Sequence, residues 1–163
     1  MKRKNKLSQN FDPKVLKINH IGSKGEGISY LHTEFNYKEK QYNFFIPFSL
    51  PDETIIARPT HFSLEGIRAE IIEIKESSID RIDPQCKHFF KCGGCTLQHW
   101  KFNNYKNWKF KRVSIPILKL SSNTYVKPIM ISSLKSRRHA KFMAKKIEAT
   151  TIIGFNEYRT NFI

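Results

Sequence analysis

The ten residues from Cys86 to Cys95 read Cys-Lys-His-Phe-Phe-Lys-Cys-Gly-Gly-Cys and hold every cysteine of the chain. Cys92 and Cys95 flank Gly93-Gly94, a pair that lets the backbone turn tightly enough to aim two sulfurs at one point. With Cys86 upstream the run is C-x5-C-x2-C, which offers three soft thiolate ligands. That is one ligand short of a tetrahedral metal or a cysteine-held iron–sulfur cluster. His88 or His99 could complete a zinc site, whereas a four-iron cluster takes a fourth cysteine that this sequence does not contain. A disulfide framework fits poorly, because three cysteines cannot pair fully and no signal peptide precedes them. The spacing predicts a reduced metal site and leaves zinc and iron–sulfur both open.

The segments around this turn must position it. Residues 1–12 are polar and basic and predict a short disordered arm ended by Asp12-Pro13. Five short strands follow over 13–76: Val15 to Ile21, Ile28 to Leu31, Tyr42 to Phe48, Thr54 to Arg58, and Ile67 to about Ile74. A glycine turn, Gly25-Glu26-Gly27, joins the first two, the polar run His32 to Gln41 reads as a long hairpin loop, and Pro59 ends the fourth. Five strands without room for crossover helices predict a small antiparallel barrel of the OB type, in a chain that is mainly β, of the α+β class. Ser77 to Pro84 links this barrel to a second region, 77–163. There Thr96 to Lys111 spaces Leu97, Trp100, Tyr105 and Trp108 as a helix would, and Pro116 should end it near Ser114. Val126 to Ile131, Arg137 to Ile147 and Thr150 to Phe155 read as strands of a partial antiparallel sheet, with helix the alternative for Arg137 to Ile147.

A net charge of +15 on 163 residues points to a polyanion, and nucleic acid leads, because Lys and Arg that neutralise phosphates gain affinity from counterion release. A solvated lysine face is the plainer reading of some of that charge. On the barrel, Lys24, Arg58 and Arg68 are candidate phosphate contacts, and Phe44 and Phe45, with Phe48, are candidate platforms for base stacking. Alternate members of that aromatic set must instead fill the barrel. No apolar run is long enough to span a bilayer, so composition predicts a soluble, cytoplasmic protein with no membrane partner.

Taken together, these residues resemble the N-terminal half of the SAM-dependent RNA uracil-5-methyltransferases that carry a TRAM domain and act on 23S rRNA. The likeness runs through Ile21-Gly22, Gly25-Glu26-Gly27, Phe45-Ile46-Pro47 and Pro51-Asp52-Glu53 in the barrel. It continues through Ser78, Arg81, Pro84, Cys86, His88-Phe89, Cys92-Gly93-Gly94-Cys95, Leu97-Gln98-His99, Tyr105 and Lys109. Lys127-Pro128-Ile129, Arg137-Arg138, Ala140, Phe142 and Ile153-Gly154-Phe155 carry it on. The resemblance implies that Cys86, Cys92 and Cys95 ligate a [4Fe-4S] cluster, with the fourth cysteine shortly after the segment matching Gly154 to Ile163. It also implies a SAM-binding domain, a nucleophilic cysteine and a base beyond these residues, so the chain is expected to be a truncated member or one piece of a split gene. Such a piece would be inactive alone and would be completed by a second polypeptide carrying the catalytic half. The alternatives are a stand-alone RNA-binding module whose cysteines hold zinc, and a gene remnant.

Overall fold

The computed structural model describes residues 11–35, 38–133 and 136–163, so most of the arm expected over 1–12 lies outside the described residues. The chain is mainly β and divides into two compact units, Met1–Arg81 and Ile82–Ile163.

The first unit is a six-stranded mixed sheet built from β1 (Lys14–Lys17), β2 (His20–Ile21), β3 (Gly27–Phe35), β4 (Lys38–Ile46), β5 (Thr54–Ser63) and β6 (Gly66–Glu76). Its order is β1-β5-β6-β4-β3-β2. β4 and β6 run parallel, and every other neighbouring pair is antiparallel. The two ends of this order, β1 and β2, are halves of one run broken only at Ile18-Asn19. One half pairs with β5 and the other with β3, so the sheet closes on itself as a five-stranded barrel of OB topology. The break is itself bonded to both sides: the Ile18 N–H donates to the Glu53 carbonyl at 2.9 Å and the Asn19 N–H to the Ile28 carbonyl at 2.8 Å. Period-two alternation sends Leu16, Tyr42, Phe44, Ile46, Ile55, Ala57, Ile67 and Ala69 inward, and with Ile18 they form one core.

Three expectations for the barrel change, the first being that the barrel is mixed rather than antiparallel, since β4 and β6 run parallel. The polar run His32 to Gln41 is strand on both sides of the hairpin, in register from Gly27 opposite Ile46 to Phe35 opposite Lys38. Such a polar stretch can complete a backbone ladder, and polarity alone cannot distinguish it from a loop. Pro59 does not end β5, which continues to Ser63; the register slips between Pro59 and His61, where an irregularity accommodates the missing N–H.

A buried ion pair closes the first unit. Glu53 is fully buried, and Arg81 reaches it with Nε to Oε1 at 2.6 Å and Nη2 to Oε2 at 2.8 Å. The Leu50 and Ser78 N–H groups also donate to this carboxylate, at 2.8 and 3.3 Å, and Arg81 Nη2 donates to the Phe48 carbonyl at 2.9 Å. The loop so held carries Phe48 and Asp52 at φ of 64° and 69°, a conformation that a side chain adopts only when its surroundings enforce it. This is why Ser78 and Arg81 belong with the barrel rather than with the segment that follows.

The second unit contains α1 (Phe102–Leu120) and a hairpin of β7 (Met143–Ile147) and β8 (Thr150–Gly154). The helix starts and ends later than its spacing suggests, and Pro116 lies inside it. Pro116 is exposed, so the Arg112 carbonyl it leaves unbonded can turn to water while the helix runs on. Val126 to Ile131 is not a strand, because among the described residues no strand pairs with it, and of Arg137 to Ile147 only the last five residues pair. No helix among the described residues is long and apolar enough to cross a membrane.

Candidate functional site

The cysteine segment folds as a series of tight turns in which each bond is local. The Phe89 N–H donates to the Cys86 carbonyl at 3.0 Å and the Cys92 N–H to the His88 carbonyl at 2.8 Å. Farther along, Gln98 Oε1 accepts from the Cys86 N–H at 3.2 Å, tying the start of the turn to the Leu97-Gln98-His99 stretch. Beneath it lies a small aromatic knot: Phe89 and His99 are buried with ring centroids 5.1 Å apart, and Phe90 stands 4.8 Å from Phe89 and 6.3 Å from His99. His99 is therefore packed between rings, and its carbonyl accepts the Ile82 N–H at 2.9 Å.

One connection is long-range. The Gly93 N–H donates to the Asn156 carbonyl at 2.8 Å, the Tyr158 N–H donates to the Lys91 carbonyl at 2.7 Å, and Cys92 bridges Glu157 in antiparallel fashion. The residues just after β8 are thus stitched to the cysteine turn. Gly93 permits the approach, since a Cβ there would stand 3.1 Å from the Asn156 carbonyl oxygen and 3.3 Å from that of Glu157. The sequence reading ascribed both glycines to turn formation; Gly93 is needed for this backbone contact.

The three thiols differ in exposure, with Cys86 and Cys92 half-buried and Cys95 exposed. The Gly94 N–H donates to Cys92 Sγ at 3.4 Å. As a donor set this suits iron–sulfur or zinc chemistry and is one ligand short for either. Among the described residues no three His, Cys, Asp or Glu side chains stand together closely enough to hold a metal ion, so the cysteines share a turn without forming a closed ligand cage.

The residues expected to meet RNA on the barrel differ in exposure and in what they face. Phe44 has no exposed surface and lies in the core opposite Ile67, so it cannot stack on a base; the alternation that makes β4 a strand puts it inside. Phe45 is half-buried and faces Gly66, where a Cβ would come within 2.9 Å of its ring. Lys24 is exposed but 3.8 Å from Glu65. Arg58 is exposed opposite Glu70, and Arg68, half-buried, lies opposite Phe45 in one direction and His61 in the other.

Comparison with known proteins bears on the whole chain. No protein-family model matches it. An uncharacterized RNA methyltransferase of Brucella melitensis is 33% identical over 147 residues, which cover 90% of this chain and 32% of the relative. One of Caulobacter vibrioides is 32% identical over 131 residues, 80% of this chain and 29% of the relative. Over most of its own length the chain is homologous to proteins named RNA methyltransferases. The 23S rRNA (uracil(1939)-C(5))-methyltransferase RlmD of Shewanella putrefaciens is 35% identical over 104 residues, 64% of this chain and 20% of that protein. The chain thus spans about a third of the length of these uncharacterized RNA methyltransferases.

Proposed function

We propose that this chain is the RNA-recognition and cluster-bearing portion of a SAM-dependent RNA uracil-5-methyltransferase acting on 23S rRNA. The observation that carries the reading is the match to RNA methyltransferases over 90% of the chain, with a uracil-C5 enzyme for 23S rRNA among the relatives. Transfer of the methyl group itself would lie with the SAM-binding portion of such an enzyme. The residues in hand would bind and orient RNA, since uracils accessible for attack are those in single-stranded or looped segments that a protein can splay out.

Within this reading Cys86, Cys92 and Cys95 hold a [4Fe-4S] cluster. The chemistry of the donors and the Gly94 N–H aimed at Cys92 Sγ support it. So does the stitching of the turn to Asn156–Tyr158, because the family resemblance puts the fourth cysteine shortly after this same stretch. When bound, the cluster would supply order and no group transfer: it would fix the turn over the aromatic knot of Phe89, Phe90 and His99, where the protein's own apolar burial is small.

Metal and sulfide analysis of chain purified without oxygen tests this. The expected result is iron with acid-labile sulfide and broad visible absorbance, both reduced in Cys92→Ser. Zinc bound one to one without iron would replace the cluster with the Cys3His zinc module. Absence of any metal would remove the cluster from the proposal.

A further inference from the structure

The positive charge of the chain is not where the barrel is. Residues 84–147 contain fifteen Lys and Arg and no Asp or Glu, which accounts for the whole net charge of +15. The strand-bearing residues 14–76 hold eight Lys and Arg against nine Asp and Glu. A polyanion approaching the protein is therefore drawn to the second unit, and the barrel offers it no net attraction.

Within the basic stretch, α1 arranges its charges in a particular way. Tyr105, Trp108, Lys109 and Arg112 are three or four positions apart and share one face of the helix. Lys109 Nζ stands 5.6 Å from the Tyr105 ring centroid and 5.3 Å from that of Trp108, and the Arg112 guanidinium carbon is 5.2 Å from the Trp108 centroid. The two rings are 6.2 Å apart and inclined by 32°. Each cation is held against an aromatic face, which costs less ordering on binding than a free lysine would. The helix has no acid in its first turn and buries only Ser114, so nothing within it neutralises these charges.

We propose that this face of α1 is the principal RNA-binding surface of the chain, with Lys109 and Arg112 on phosphates and Tyr105 and Trp108 as platforms for unstacked bases of a single strand. The inference rests on the RNA-binding part of the proposed function and names the site for it. A membrane surface is the other polyanion a basic helix can meet. Helices that lie on membranes segregate apolar from basic side chains onto opposite faces. Here the cations and the rings interleave on one face, which favours nucleic acid.

The test is fluorescence anisotropy of the full chain with a labelled single-stranded RNA, titrated between about 50 and 200 mM salt, with anionic phospholipid vesicles measured in parallel. The double variant Lys109→Gln, Arg112→Gln should lower the salt slope by about 1.4, two single-strand phosphate contacts at ~0.7 each. Trp108→Ala should weaken binding about five-fold or more at an unchanged slope, and Trp108→Phe should restore most of it. Arg58→Gln with Arg68→Gln should leave affinity within about two-fold, and far-ultraviolet circular dichroism should show α1 intact in every variant. An unchanged slope in the double variant, loss confined to the barrel variants, or binding to vesicles in place of RNA would each overturn the assignment while leaving the homology to RNA methyltransferases untouched. Failure of the unsubstituted chain to bind RNA would instead remove the RNA-recognition role on which it rests.

Discussion

In the unit Met1–Arg81 most of the apolar side chains along the strands alternate into a core, whereas in Ile82–Ile163 most large apolar side chains are exposed. Twelve of the fourteen buried hydrophobic residues among those described belong to the first unit, and only Phe89 and Leu97 to the second. Phe102, Val113, Ile115, Leu118, Phe142 and Ile153 are all exposed in the second, by 43% or more of their surface. The acids follow the same division: the first unit balances its charges and buries one carboxylate in an ion pair, while the second runs from residue 84 to residue 147 without any. A closed barrel with a core supplies its own order. A single helix and a two-stranded hairpin bury too little apolar surface to do so by themselves. On the proposed reading, the rigid scaffold lies in one region and the RNA-binding face in the other.

The largest effect that would break this comparison is in the two cores. Phe44→Ala removes a ring with no exposed surface and should cost about 3–5 kcal/mol, enough to unfold a barrel of this size, whereas Phe102→Ala, at 55% exposure, should change stability by less than about 0.5 kcal/mol. Urea melts of the two variants followed by amide exchange in the β4 and β6 strands would measure both. Comparable losses from the two substitutions would mean that α1 is packed in solution and that the units do not differ as described.

The Glu53–Arg81 pair comes next. Arg81→Met keeps the apolar stem and deletes the guanidinium, leaving a fully buried carboxylate with the Leu50 and Ser78 N–H groups as its remaining donors. A loss of about 3 kcal/mol is expected, since breaking one side of a buried pair strands the other charge. The Phe48–Glu53 loop should loosen first, because its left-handed residues lose the bond from Arg81 to the Phe48 carbonyl. Stability unchanged in the melt would show that the pair is dispensable to the barrel.

How much of this was legible in the sequence depended on whether the determining contact was local. The alternation of Tyr42, Phe44 and Ile46, and of Ile55 and Ala57, is written in neighbouring residues, and the barrel follows from it. The extended hairpin over His32 to Gln41 was not legible, because a polar strand can have the composition of a loop. Val126 to Ile131 failed for the opposite reason: its residues favour a strand, but a strand exists only with a partner, and among the described residues none pairs with it. The cysteine turn could be read from Gly93-Gly94, yet its attachment to Asn156–Tyr158 joins residues more than sixty positions apart and leaves no local trace. The basic helix lay in plain sight as an acid-free stretch, and averaging the charge over the chain concealed it. Only the helical register brings Lys109 and Arg112 over the rings of Tyr105 and Trp108.

The smallest effect sharpens the comparison from the barrel side. Lys24 and Glu65 approach to 3.8 Å with side chains 61% and 71% exposed, so solvent screens the pair and the ordering of two long side chains offsets most of the attraction. Lys24→Gln should therefore shift stability by no more than about 0.5 kcal/mol in a urea melt. It should also leave the RNA salt slope where it was, because a lysine already facing a carboxylate releases little counterion when a phosphate arrives. A slope reduced by about 0.7 would make Lys24 a phosphate contact in its own right and extend the binding surface onto the glycine turn of the barrel. An unchanged slope would confine the attraction for RNA to the region where the acids are missing.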